Sequence, residues 1–289
     1  MRSDEYKEKN GEFSVNSMTG YEPGLDIELD PDIEVLHRLF HHIQETWRAL
    51  GEVSPMWSVL SVDEFKEEDK SSIDSFYATG ENAALQVLAT LRRNNIEPET
   101  LGTCLEFGCG LGRITRWLAE NFPKVVACDI SSSHLEQAKK KLEMIDNIDW
   151  VQLTNLDDLQ RLQKVDLVYT VIVLQHNPPP LIDQAIRALL QTLNPGGVAV
   201  FQIPTYRMGY RFDAEEYLSN LDGRKNGDIE MHFLPQHRIF EIIGDEQCVT
   251  LEVLEDGRIG HRDHDLSNTF VVRKNKNLYS EILRLIRWV

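Results

Sequence analysis

Two hydrophobic periods alternate along this chain. Short apolar runs at Thr103–Phe107, Val125–Asp129, Ile148–Leu153, Asp166–Val171 and Val198–Ile203 predict strands. Between most of them, apolar residues recur every three or four positions, which predicts helices over Arg113–Asn121, Ser132–Met144 and Pro180–Leu193. Unbroken apolar strands separated by amphipathic helices imply an α/β fold whose mostly parallel sheet has helices on both faces. Two later runs, Val249–Leu254 and Thr269–Val272, are joined by EDGRIGHRDHDLSN and read as a hairpin. Upstream, Asp30 and Pro31 suit a helix start, and Leu36, Leu39, Phe40, Ile43 and Trp47 keep helical spacing until Gly51. A second helix is predicted over Glu81–Asn94, with Ala84, Leu85, Leu88 and Leu91 on one face.

Composition narrows the picture. A chain of 289 residues, 42% hydrophobic, can bury one sizeable core with an appendage. Its 47 acidic residues against 30 basic give a formal charge of −17, which repels polyanions and argues against a nucleic-acid partner. No apolar stretch is long enough to span a bilayer and the first twenty residues are polar, so a cytoplasmic location is expected. The four cysteines show no C-x-x-C pairing. Cys104 and Cys128 sit inside apolar runs, where reduced thiols pack as small hydrophobes. His37 and His41 are four apart, and they read as a solvated helix face, so no metal site is expected.

The candidate chemistry lies in LEFGCGLGRIT, where a strand meets a helix through Gly108, Gly110 and Gly112. Such a turn lets backbone N–H groups approach a ligand at the carboxyl end of a sheet. The dinucleotide fingerprint G-x-G-x-x-G would need glycine where Arg113 stands. Glu106 ahead of the glycines would also repel a pyrophosphate, and points instead to a ligand with a positive group near the turn.

With those residues on view, the chain resembles the class I S-adenosylmethionine-dependent methyltransferases. LEFGCGLGRITRWLA, VVACDISSSHLEQAKKKL, VDLVYTVIVLQHNPP and LNPGGVAVFQIP occur in the family's order, across roughly Gly80 to Arg273. The resemblance implies a seven-stranded sheet with an antiparallel last strand, and S-adenosyl-L-methionine as cofactor. It divides the chain into an N-terminal arm and helical extension (1–79), a cofactor-binding core (80–273) and an amphipathic tail (274–289). It implies Glu106 for the cofactor's amino group, the glycines for its methionine and ribose edge, Asp129 for both ribose hydroxyls, and Ile130 for the adenine. Asn155 or Thr154 falls where an adenine acceptor is often found, Leu156 contacts the ring, Val171 lines the methionine channel, and Tyr77 closes over the cofactor or simply packs.

Methyl transfer requires alignment of a nucleophile and removal of its proton. Residues after the fourth, fifth and sixth strands are the candidates: Gln175, His176, Thr205, Tyr206, Arg207, His261 and His264. His176 is either the base or an anchor for the NPPP loop. The Tyr- and Arg-bearing insertion after the fifth strand suits a small polar acceptor. MWSVLSVDEF and FYATG resemble bacterial methyltransferases of glycan or secondary-metabolite assembly, which points to a sugar or glycan. A protein side chain as acceptor and a non-catalytic cofactor-binding module are the competing readings. The C-terminal NKNLYSEILRLIRWV reads as an amphipathic helix with a basic fringe. It either docks on the core or on a second copy of the chain, giving a homodimer, or lies peripherally on a membrane.

Overall fold

The structure, a computed structural model, describes residues 24–67, 69–221, 229–257 and 265–276. The proposed C-terminal helix, apart from its first residues, and both His261 and His264 lie outside those residues. In chain order the elements are β1 (Asp26–Ile27), α1 (Ile33–Val53), α2 (Pro55–Val59), α3 (Lys70–Arg93), β2 (Thr103–Phe107), α4 (Thr115–Asn121), β3 (Lys124–Asp129), α5 (Ser132–Lys141) and β4 (Ile148–Gln152). They continue with β5 (Val165–Thr170), α6 (Pro179–Thr192), β6 (Leu193–Tyr206), β7 (Arg211–Phe212), α7 (Ala214–Ser219), α8 (Gln236–Asp245), β8 (Cys248–Gly257) and β9 (Leu266–Lys274).

Seven strands form one sheet in the order β4-β3-β2-β5-β6-β9-β8, in which β9 runs antiparallel to both neighbours and the β2–β6 pairings are parallel. The expected fold is therefore present, with the last strand inserted between β6 and β8. Alternating side chains feed two cores, as period-two strands must. Cys104, Val125, Leu167 and Val200 pack beneath α3 and α4, against Phe76, Leu88, Leu91 and Leu118. Leu105, Val126, Val168 and Phe201 pack on the other face against α6 and α8, through Ile182, Ile186, Ile239 and Ile242. All four cysteines are buried free thiols, and burial pushes them up, Cys248 to about 11.

Three departures from the sequence reading bear on the site. The helix expected from Glu81 begins at Lys70 and runs unbroken through Gly80, so α3 crosses the 79/80 division and ties the extension to the core. Asp69, not Gly80, marks its boundary, with a capping box to Ser72. Gly80 is there for proximity: a Cβ would lie 2.0 Å from the Arg113 backbone oxygen and 3.0 Å from Trp117. Second, α1 starts at Ile33 with Asp32 at its N-cap, rather than at Asp30. Third, Asp26–Ile27 pair in parallel with Arg211–Phe212, so the extension and the insertion after β6 form one cap. Val35, Leu36, Leu39 and Ile43 of α1 bury against Phe212, Tyr217 and Leu218.

The cap sits on α5. Gly51 would carry a Cβ 2.3 Å from Ser133 Oγ and 2.6 Å from His134 Nδ1, so only glycine permits the contact. Ser133 Oγ donates to the Arg48 carbonyl at 2.7 Å and Gln137 Nε2 to the Gly51 carbonyl at 2.8 Å. Lys274, the last residue of β9, donates to the Leu190 and Glu246 carbonyls.

Because the atom facing Gly80 is backbone, Gly80→Ala should lower unfolding stability by about 1–3 kcal/mol. Gly244→Ala, in α8 with nothing within 4 Å, should raise it by about 0.5–1 kcal/mol. Urea unfolding of the pair checks both signs.

Candidate active site

The carboxyl ends of β2, β3, β4 and β5 open onto a cavity of about 580 Å³, roofed by α1 and α2. The glycine turn forms its floor. Gly108, Gly110 and Gly112 all have left-handed backbone, with φ of +74°, +53° and +74°, which an L side chain resists. Space forbids one as well. A Cβ at Gly108 would meet Val173 at 2.3 Å, at Gly110 Val59 at 2.9 Å, and at Gly112 Leu142 at 2.7 Å.

Asp129 holds this turn. Its Oδ2 accepts from Gly110 N–H at 2.7 Å and its Oδ1 from Ser131 N–H at 2.8 Å, which joins the β2 and β3 loops. Each carboxylate oxygen keeps a further lone pair for a hydroxyl in the cavity. Ile130, Leu153 and Leu156 stand beside it as an apolar slot, with Asn155 at its rim. Asn155 Oδ1 accepts from Asp157 N–H, so this side chain also shapes its own loop.

At the other end, Glu106 is buried and accepts from the Thr115 hydroxyl at 2.5 Å. Burial pushes its carboxyl up to about 8, with the Thr115 bond and the Arg113 charge opposing. Two more buried polar groups line the cavity with no hydrogen-bond partner among the described residues, Arg113 Nε and Thr170 Oγ1. Carboxyl, guanidinium and hydroxyl together match a ligand end that carries both an ammonium and a carboxylate.

His176 lines the cavity after β5. Its Nδ1 meets the Glu230 carbonyl at 2.7 Å. A carbonyl only accepts, so Nδ1 carries the proton and Nε2 keeps its lone pair. Burial, then the nearby His232, pulls the imidazole down to about 4, leaving the ring neutral at physiological pH. The Trp47 ring stands against it, centroids 5.4 Å apart. Behind it, Glu230 accepts from Tyr217 Oη at 2.8 Å and meets His232 Nε2 at 3.0 Å.

Of the residues singled out from sequence, Glu106, Gly108, Gly110, Asp129, Ile130, Asn155, Leu156, Val171 and His176 all line this one cavity. Tyr77 and Gly112 do not. Tyr77 is buried in α3 and donates from Oη to the Leu111 carbonyl at 2.9 Å, so it props the turn from behind rather than closing over it. Thr205 is buried on Asn268, and Arg207 makes a two-pronged ion pair with Asp265, so neither reaches the cavity. His37, read as solvated, is exposed on α1 at the rim of the cavity. Arg113, Thr170 and Trp47 were missed. The position of Arg113, directly after the turn, was the available signal.

Residues 104–197 match the methyltransferase domain family. The sheet order agrees with this, since an antiparallel last strand follows five parallel ones. The chain carries a class I methyltransferase domain. Its structure is similar to magnesium protoporphyrin IX methyltransferase from Synechocystis PCC 6803 with bound SAH, with a TM-score of 0.56, 18% identity, and coverage of 81% of this chain and 99% of that one. The same enzyme with bound SAM gives 0.54 at 16% identity, covering 86% and 100%; at such identities the likeness speaks for the fold. Trans-aconitate 2-methyltransferase of Azoarcus sp. (strain BH72) is 34% identical over 106 residues, 35% of this chain and 39% of that protein. Malonyl-[acyl-carrier protein] O-methyltransferase of Priestia megaterium (strain DSM 319 / IMG 1521) is 30% identical over 132 residues, 44% and 45%. The methyltransferase domain thus spans less than half the length of the curated relatives it matches.

Folded Glu106 keeps its proton to about pH 8, against 4.5 for a free glutamate. The folded state binds the extra proton between those values, so stability falls as pH rises through that window. Ligand-free Glu106→Gln should therefore lose less melting temperature between about pH 5 and about pH 9, and exceed the wild type at the alkaline end. Parallel melting curves would show the buried carboxyl to be already ionised.

Proposed function

We propose that the protein is an S-adenosylmethionine-dependent methyltransferase that methylates an oxygen or nitrogen of a small polar acceptor, a sugar or glycan hydroxyl among them. The observation that carries this reading is the donor set of the cavity. Glu106 with the unpartnered Arg113 Nε and Thr170 Oγ1 suits an α-amino acid end, and Asp129 beside the Ile130–Leu156 slot suits a ribose and its base. S-adenosyl-L-methionine supplies, when bound, an electrophilic methyl group on a sulfonium.

The remaining work falls to the chain. Asp129 takes the ribose hydroxyls on the lone pairs its backbone partners leave free. An ammonium beside Glu106 favours the ionised carboxylate, so binding expels the proton that burial retains. The cap excludes water through Val59, Phe40 and Trp47. His176, neutral with Nε2 free, accepts the hydrogen of the incoming hydroxyl or amine and aligns its lone pair for in-line attack.

S-adenosylhomocysteine should raise the melting temperature, since a ligand of the folded state stabilises it by mass action. Asp129→Ala should remove most of that rise, and an unchanged rise would contradict the ribose assignment. With an acceptor found by screening glycans, peptides and metabolites, His176→Ala should slow turnover by about 10²-fold or more while S-adenosylhomocysteine affinity holds. Because burial already keeps His176 neutral above about pH 4, the wild-type rate should show no histidine break near 6.5. A break there that disappears in the variant would restore His176 as an ordinary titrating base.

A further inference from the structure

Three non-glycine residues among those described have left-handed backbone: Asn95, Ile172 and Gln247, with φ of 57°, 59° and 53°. Asn95 and Gln247 follow the ends of α3 and α8, where a left-handed residue closes a helix, and their N–H groups bond back to Arg92 and Gly244. Ile172 closes no helix. A β-branched side chain is also the worst suited to that region, so the conformation is imposed from outside. Its N–H donates to Gln202 Oε1 at 3.0 Å, and Gln202 is itself fixed by Nε2 on Ser267 Oγ at 2.6 Å.

What the strain achieves is placement. The next residue, Val173, turns back onto Gly108, while Ile172 projects into the cavity and stays 50% exposed. Its anchor lies on β6, and Asp129 ends β3 on the far side of β2 and β5. Ile172 therefore stands on the side of the cavity away from the ribose residue. α1 passes over the cavity, with Trp47 between His134 and His176. Ile33, His37, Phe40 and Trp47, spaced along one helical stripe, line the cavity, and Ile33 is left 61% exposed. Two large aliphatic side chains thus stand open to solvent at the cavity that also holds His176.

We propose that Ile172 is a specificity-determining residue, the apolar wall of the acceptor subsite, and that the acceptor carries an aliphatic body beside the hydroxyl or amine that is methylated. This rests on the methyltransferase reading. A wholly polar sugar would leave Ile172 wet, whereas an alkyl-bearing one dries it.

The test uses full-length protein saturated with S-adenosylhomocysteine, and octyl glucoside below its micelle concentration against glucose, by calorimetry and saturation-transfer NMR. Octyl glucoside should bind the wild type at least about tenfold more tightly than glucose. Asn tolerates left-handed backbone, so Ile172→Asn should keep the fold, leave S-adenosylhomocysteine affinity within about twofold, and weaken octyl glucoside about tenfold. Ile172→Gly should do the same and raise the melting temperature by roughly 2–6 °C as the strain is released. Equal binding of the two glucosyl probes, or undiminished octyl glucoside binding in both variants, overturns the proposal. So does a tenfold loss of S-adenosylhomocysteine affinity, which would assign Ile172 to the cofactor, or a lowered melting temperature in both variants, which would assign it to packing. Wild-type protein that fails to bind S-adenosylhomocysteine overturns the methyltransferase reading and this proposal with it.

Discussion

The hydrogen bond from Gly110 N–H to the Asp129 carboxylate, 2.7 Å long, sets the position of everything that lines the cavity. It locks the loop after β2 to the loop after β3, and Gly108 and Cys109 reinforce it by donating to the Cys128 carbonyl. Positive φ at three glycines makes the bond geometrically available. The same three glycines leave room for Val173, Val59 and Leu142 to close on the turn from three directions. Conformation and packing thus impose one requirement at each position, and a side chain at any of them would violate both.

Around that fixed point, polar groups are buried at a cost which the ligand-free protein does not recover. Glu106 is buried beside one hydroxyl and retains a proton, and Arg113 Nε and Thr170 Oγ1 have no hydrogen-bond partner among the described residues. Buried polar groups are ordinarily satisfied, so their convergence marks where stability has been exchanged for recognition. Ile172 shows the same exchange in another form, as backbone strain on a side chain left exposed at the cavity.

The sheet was legible because its central strands are buried on both faces and so read as unbroken apolar runs. Thr103–Phe107 agrees residue for residue with β2. The first half of α3 was not legible. Its Ile73, Phe76 and Tyr77 do keep helical spacing, but Gly80 after them reads as a terminator unless the Arg113 carbonyl beside it is known. In α8, the spacing of Ile239, Ile242 and Ile243 after Pro235 was a readable signal that went unused. Two-residue pairings such as β1–β7 are too short to carry a period. In the site, motif order brought Glu106, Asp129 and His176 together. Trp47 was read as part of the stripe that α1 buries in the cap, because a helix with two apolar faces, one for the core and one for the cavity, looks like a single broad stripe in sequence.

The β1–β7 pairing has a kinetic consequence. Residues 103–170, which carry the glycine turn, Asp129, Asn155 and Thr170, are contiguous in the chain and need only neighbouring strands to assemble. The cap needs Asp26 and Ile27 to meet Arg211 and Phe212 across most of the chain. Loop closure over that separation is slower and entropically dearer than closure between adjacent strands. In a chain emerging amino end first, α1 is made early yet cannot dock fully until β6 and the segment after it exist. The part of the cavity built on the glycine turn and Asp129 is therefore the first able to form, and the α1 roof the last.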